Sequence, residues 1–226
     1  MAVTQRETTR TAGRATRKKL PRRGVGRRIA TGAAGIVLAA AAVYAQQNFT
    51  MSYEQRTSFL TYKGGMGETV ETNRFTVKVN SVSAAHAVDT VDFSNKVTKV
   101  ETSNLFLLID VSATTAREPV RLSPFAPPML LTADGRRYRP TDKVSDSLTL
   151  YNKWLQPGFW SSGVLIYEMP TDAVPGARLV FNPDTGGALV DSLSPEAEID
   201  LGLSGSAATR LISQAEDYHS LVSKSG

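Results

Sequence analysis

The 226-residue chain has no cysteine, which excludes a disulfide framework, a zinc-thiolate centre and a thiol nucleophile together. Histidine is almost as scarce. Neither His86 nor His219 has a His, Cys or carboxylate at metal-ligand spacing such as i+4, so both read as surface residues. No G-x-S-x-G nucleophile elbow occurs. The triplet Asp184-Thr185-Gly186 resembles half of an aspartic-protease site, but it has no second copy and follows Asn182-Pro183 rather than an apolar strand. "NPDTGG" therefore reads as a turn. Asp89, Asp92 and Glu101 in "HAVDTVDFSNKVTKVE" lack the Asp-x-Asx-x-Asx-Gly spacing of a calcium loop and read as a solvated acidic loop. The expectation is a protein that is not an enzyme and needs no metal or cofactor.

Charge is scarce in one place and crowded in another. Residues 1–28 hold ten basic side chains and one acid, Glu7, whereas the remaining residues hold 16 basic and 20 acidic ones. The net charge of +5 is thus a property of the tail, and the body is mildly acidic. The basic residues lie in "RATRKKLPRRGVGRR", a Pro/Gly-broken stretch expected to stay unfolded. It offers no folded basic face, which argues against nucleic-acid binding. Behind this tail comes "IATGAAGIVLAAAAVYA", Ile29 to Ala45, 17 residues without a charge. That length is at the short end of a membrane-spanning helix, and the Lys/Arg excess before it predicts a cytoplasmic N-terminus and an exported body. The rival is a signal sequence, since "VYA" before Gln46 suits cleavage after Ala45. Either way the body is exported. Residues 46–73, with Phe49, Tyr53, Phe59 and Tyr62 and a Gly65/Gly67 hinge, read as a juxtamembrane tether whose rings either sit at the headgroup boundary or are incidental to a mobile linker.

From Arg74 the pattern is that of strands. "FTVKVNSV" alternates apolar and polar residues, and "NLFLLIDVSA" is a continuous apolar run of the kind covered on both faces. "PPMLLTADGRRYRP" predicts a hairpin turning at Asp134-Gly135, and Gln156-Pro157-Gly158-Phe159 predicts a type II turn. "GVLIYEMP", "ARLVF" and "EIDLGL" follow, with turn residues about every ten positions. This spacing predicts an antiparallel β-sandwich over 74–205. "SAATRLISQAEDYHSLVSK" predicts a terminal helix within 206–226, capped at Ser206, with Leu211, Ala215, Tyr218 and Val222 in one stripe.

The order of these motifs resembles a bacterial family of extracytoplasmic Ig-like domains classed only as a domain of unknown function. In fold that family is similar to the mycobacterial immunoprotective secreted antigen. The resemblance rests on "NLFLLIDVSATT", "REPVRLSPFAPPMLLTADGRRYRP" and "WLQPGFWSSGVLIYEMP" in that order. Val120, Leu122, Pro124, Leu130, Asp134, Gly135, Tyr138, Pro157, Gly158, Val164 and Pro170 fall where the pattern places them. Two departures stand out: Phe159-Trp160 where a small or charged residue follows the Pro-Gly turn, and "SATTAR" where the long strand usually ends in Asn. The resemblance implies an Ig-like fold outside the cytoplasm, and it implies no reaction.

Both tryptophans of the chain, Trp154 and Trp160, flank one turn with Phe159. Exposed together, the three rings would form a patch for a protein, glycan or lipid partner. Buried, they would cap the open end of a sandwich. The alternation along the strand favours Trp154 or Phe159 inside, and Trp160, beside Ser161-Ser162-Gly163, at the surface. The sequence as a whole predicts an Ig-like β-sandwich anchored by a helix at 29–45, with a binding or accessory role in an envelope or transport complex. Its partners would be the bilayer and an unidentified membrane or envelope protein. The alternatives are a soluble binder released after Ala45 and, least favoured, an exported hydrolase.

Overall fold

A computed structural model describes residues 38–39, 59–124, 126–183 and 194–222. Segments 1–28 and 29–45 therefore lie outside the described residues, except Leu38 and Ala39, which are helical. Among the described residues no helix is long and apolar enough to cross a membrane. In chain order the strands are β1 (Leu60–Gly65), β2 (Thr69–Glu71), β3 (Phe75–Val91), β4 (Val97–Thr115), β5 (Val120–Arg121) and β6 (Met129–Leu131). They continue with β7 (Arg137–Tyr138), β8 (Trp154–Leu155), β9 (Ser161–Met169), β10 (Arg178–Phe181) and β11 (Pro195–Asp200), then helix α1 (Ser206–Ser213).

The strands form a β-sandwich. One sheet runs β2-β3-β4-β9 and the other β1-β11-β10-β6-β7, with β5-β8 as a short ribbon. Every pairing is antiparallel except β1 with β11, which is parallel. Alternation explains the inner face: Phe75, Val77 and Val79 of β3 and Leu105, Leu107, Ile109, Val111 and Ala113 of β4 are all buried in the main core. The opposite sheet contributes Leu130, Leu179, Phe181, Ala197 and Ile199. Phe75 and Phe181 meet edge to face across the two sheets at 5.5 Å, a geometry that favours ring pairs.

The continuous apolar runs are explained by a second cluster on the outer face of the β3-β4-β9 sheet. Phe106, Leu108 and Ile166 pack there with Ala85, Val88 and Val144. Val164 and Ile166 thus face one side of β9 while Leu165 and Tyr167 face the other, as the sequence predicts. The Asp134-Gly135 hairpin also forms as predicted, with Leu130 opposite Tyr138 and Gly135 at a φ of 84° that suits glycine.

Four sequence expectations are corrected. The tether over 46–73 is partly sheet, since β1 and β2 lie within it and Leu60 pairs with Pro195. Helix α1 ends at Ser213, and it begins after Gly205 with no side-chain cap, so Ser206 is its first residue and not its cap. Tyr218 and Val222 consequently lie beyond the helix, in an extended tail that runs parallel to β3. The histidines keep the surface positions expected of them: His86 is exposed on β3, where its amide donates to Glu216 O, and half-buried His219 follows the helix, with Nδ1 2.8 Å from a Glu216 carboxylate oxygen.

Asp89 is the last correction. It is 1% exposed rather than solvated, and its carboxylate holds the tail. Tyr218 Oη, Ser220 Oγ and the Leu221 and Val222 amides all donate to it. Burial alone would raise its pKa, but these donors outweigh burial and leave it below the ordinary aspartate value.

Candidate functional site

The predicted aromatic patch falls at one end of the sandwich. β3 begins there with Phe75 opposite Thr115, the last residue of β4. The segment that reaches this end, residues 141–153, first crosses the outer face of the β3-β4-β9 sheet. Its Thr141 amide donates to Ile166 O and its Ser145 amide to Thr90 Oγ1. It then turns inward. Leu150, Tyr151 and Leu155 enter the main core and close its end. Gly163 makes room for this plug, because a Cβ there would lie 2.9 Å from Leu150 Cα.

The capping role thus belongs to Leu150, Tyr151 and Leu155, and the expectation that Trp154 or Phe159 is buried is corrected. Trp154 is 54%, Phe159 71% and Trp160 51% exposed. The reason is strand alternation: Leu155 turns into the core, so Trp154 beside it turns out. Their backbone is firmly placed nevertheless. Trp154 pairs with Arg121, Thr114 Oγ1 donates to Gln156 O at 2.8 Å, and Ser161 Oγ donates to Trp154 O at 2.8 Å. The predicted turn closes through Phe159 N to Gln156 O at 3.2 Å, with Gly158 at φ 76°.

The same end carries cations. Arg121 Nε donates to Tyr151 O at 2.8 Å, and Lys153 Nζ donates to Ser162 O, so each side chain is held beside the rings. An open cleft of about 340 Å³ is lined by Asn73, Arg74, Arg117, Glu118 and Val120. The start of β1 lies here too. Glu68 N donates to Gly65 O in a turn that reverses the chain between β1 and β2, and β2 is antiparallel to β3. β1 therefore runs in the direction of β3, which puts exposed Phe59 and Leu60 at the Phe75 end. Sequence reasoning named Phe59 but missed the cations and Leu60, because loops and an edge strand bring them together from distant parts of the chain.

Burial pushes the Tyr151 phenol well above its usual range, with Asp146 adding to the effect and Arg139 opposing it; its oxygen has no hydrogen-bond partner among the described residues. Tyr151 also lines a shallow cleft with Arg139, Asp142 and Asp146. Among the described residues no group of His, Asp and Glu could hold a metal ion. Of the weighed calcium candidates, Asp92 accepts from Ser94 and Lys96 in a turn and Glu101 pairs with Lys99. The Asp184-Thr185-Gly186 triplet lies outside the described residues.

Similar solved structures include the yjhA protein of Bacillus subtilis, 18% identical, covering 61% of this chain and 99% of its own, with a TM-score of 0.44. The secreted protein MPT63 of Mycobacterium tuberculosis is 15% identical over 62% of this chain and 99% of its own, with a TM-score of 0.43. A β-sandwich protein of Clostridium difficile is 10% identical over 63% of this chain and 95% of its own, with a TM-score of 0.38. No curated protein matches the sequence. A family model does match, over residues 64–189, and the chain accordingly belongs to the family DUF4352, a domain of unknown function.

Proposed function

We propose that this protein is a membrane-anchored, extracytoplasmic β-sandwich with a non-catalytic binding or accessory role in an envelope or transport complex. The observation that carries the reading is the charge step at residue 28. Ten cations and one acid are followed at once by 17 uncharged residues, and then by an acidic body. Lys/Arg of this density before an apolar run favours retention of the N-terminus in the cytoplasm. The exposed rings Trp154, Phe159 and Trp160 support a binding role, since large apolar surface on a well-bonded frame is what partner recognition uses.

A second reading, a soluble binder released by cleavage after Ala45, is favoured by "VYA" before Gln46. One experiment separates the two. The protein is recovered from membrane and culture fractions of the producing cells and its intact mass measured. An anchored protein is found in the membrane with residues 1–45 attached. A new N-terminus at Gln46 in the culture fluid would overturn the anchor.

A further inference from the structure

From the grouping of rings and cations at one end of the sandwich, we infer that this end is a docking surface for the lipid headgroup region of the membrane. The inference rests on the anchored reading above and assigns that reading a second, peripheral membrane contact.

Three independent observations converge on the same end. The first is composition. Phe59, Leu60, Trp154, Phe159 and Trp160 are all exposed there, and among the described residues none of the last three is stacked on another ring. Tryptophan is the side chain most suited to the headgroup layer, because its ring is apolar and its N–H needs a polar neighbour. The second is charge. Arg117, Arg121 and Lys153 are exposed at this end, Arg74 is partly so, and the acids beside them are Glu71, Glu118 and Glu196. Among the described residues cations outnumber acids here although the body of the protein is acidic, which is the bias that anionic lipid attracts.

The third is chain length. The sandwich is entered at Phe59, with 13 residues, 46–58, between it and Ala45. Even fully extended, 13 residues span at most about 45 Å. Phe59 belongs to the aromatic end, so the chain coming from residues 29–45 joins the sandwich at the end that bears the rings. A protein or glycan partner would use the rings equally well, but neither accounts for their sharing an end with the point of chain entry.

The chain's own fluorescence reads this surface, because its only two tryptophans are Trp154 and Trp160. Full-length protein is reconstituted into phosphatidylcholine–phosphatidylglycerol vesicles, with and without bromine on the acyl chains. Its emission is compared with that in detergent, and flotation reports the anchor separately. Docking predicts a blue shift in vesicles, loss of intensity with brominated lipid, and reduced quenching by aqueous iodide. Arg117→Gln with Lys153→Gln should lessen all three while flotation is unchanged. Protein that floats with tryptophans unshifted, insensitive to bromolipid and open to iodide would overturn the docking and leave the anchor standing. Protein that fails to float would overturn the anchor, and the docking with it. Trp154→Phe and Trp160→Phe assign the signal to each ring, and neither needs to fold differently for the wild-type result to decide.

Discussion

At the Phe75 end of the sandwich, three exposed rings stand on a turn that is bonded into β4 and plugged from beneath by Leu155. At the opposite end Phe93 crowns the turn of the β3-β4 hairpin and is completely exposed. That turn is well made, with Asp92 accepting from the Ser94 and Lys96 amides and Asn95 at φ 61°. Yet the hairpin beneath it has little support. The β3-β4 register jumps between Ala85 and Ala87, and β9 stops at Met169, opposite Leu105. What steadies this region is the C-terminal tail, drawn onto β3 by the Asp89 carboxylate. Exposed aromatic surface is therefore cheap to place where a core plug supports it, and at the other end depends on one buried charge.

Substitutions at the two ends should separate these supports. The largest effect is expected at Leu155→Ala, which empties the plug and should cost about 3 kcal/mol in urea unfolding. A loss under about 1 kcal/mol would mean the end can close without it. Asp89→Ala comes next, at about 2 kcal/mol, because buried donors lose a charged acceptor but can rehydrate as the tail lifts. Hydrogen exchange should then show faster exchange at the Glu216, His219, Leu221 and Val222 amides and no change near Leu155. Unchanged protection of the tail would show that the charge is not what holds it.

The same carboxylate sets a pH dependence. Its folded pKa is depressed, so its contribution is complete above the ordinary aspartate value of about 3.9 and fades as pH falls through the lower folded value. Asp89→Asn should flatten the stability profile in that acidic window and leave its slope above pH 5 or so as it was. An unaltered acidic slope would move the effect to other carboxylates. Glu168 is one such group: burial raises its pKa, and Lys143 and Thr102 more than compensate. The smallest effects belong to the rings themselves. Trp160→Ala and Phe93→Ser should each change stability by less than about 0.5 kcal/mol, since neither side chain is buried. A large drop in melting temperature for Trp160→Ala would show that the ring is core after all.

Much of the fold is legible in the sequence because it is local. The β3 alternation, the Asp134-Gly135 hairpin and the Pro157-Gly158 turn each rest on neighbouring residues, and each forms as read. What escapes the sequence is held from a distance. β1 buries little of its own side-chain surface, and backbone pairing to β11, some 135 residues away, makes it a strand. The tail after Ser213 carries a helical stripe but is taken up by Asp89, which no periodicity can reveal. In the site, the crowding of two tryptophans around one turn was readable, and so was the exposure of Trp160. The burial assigned to Trp154 or Phe159 was not, because Leu155, a residue of ordinary appearance, occupies the space both would have filled.

Orientation is the claim on which the rest turns, and protease added to wall-less intact cells tests it most directly. Residues 74–205 should be attacked from outside, at exposed loops such as 116–119, while the basic residues 1–28 stay protected until the membrane is broken. Cleavage of 1–28 in intact cells, with the sandwich spared until lysis, would contradict the account.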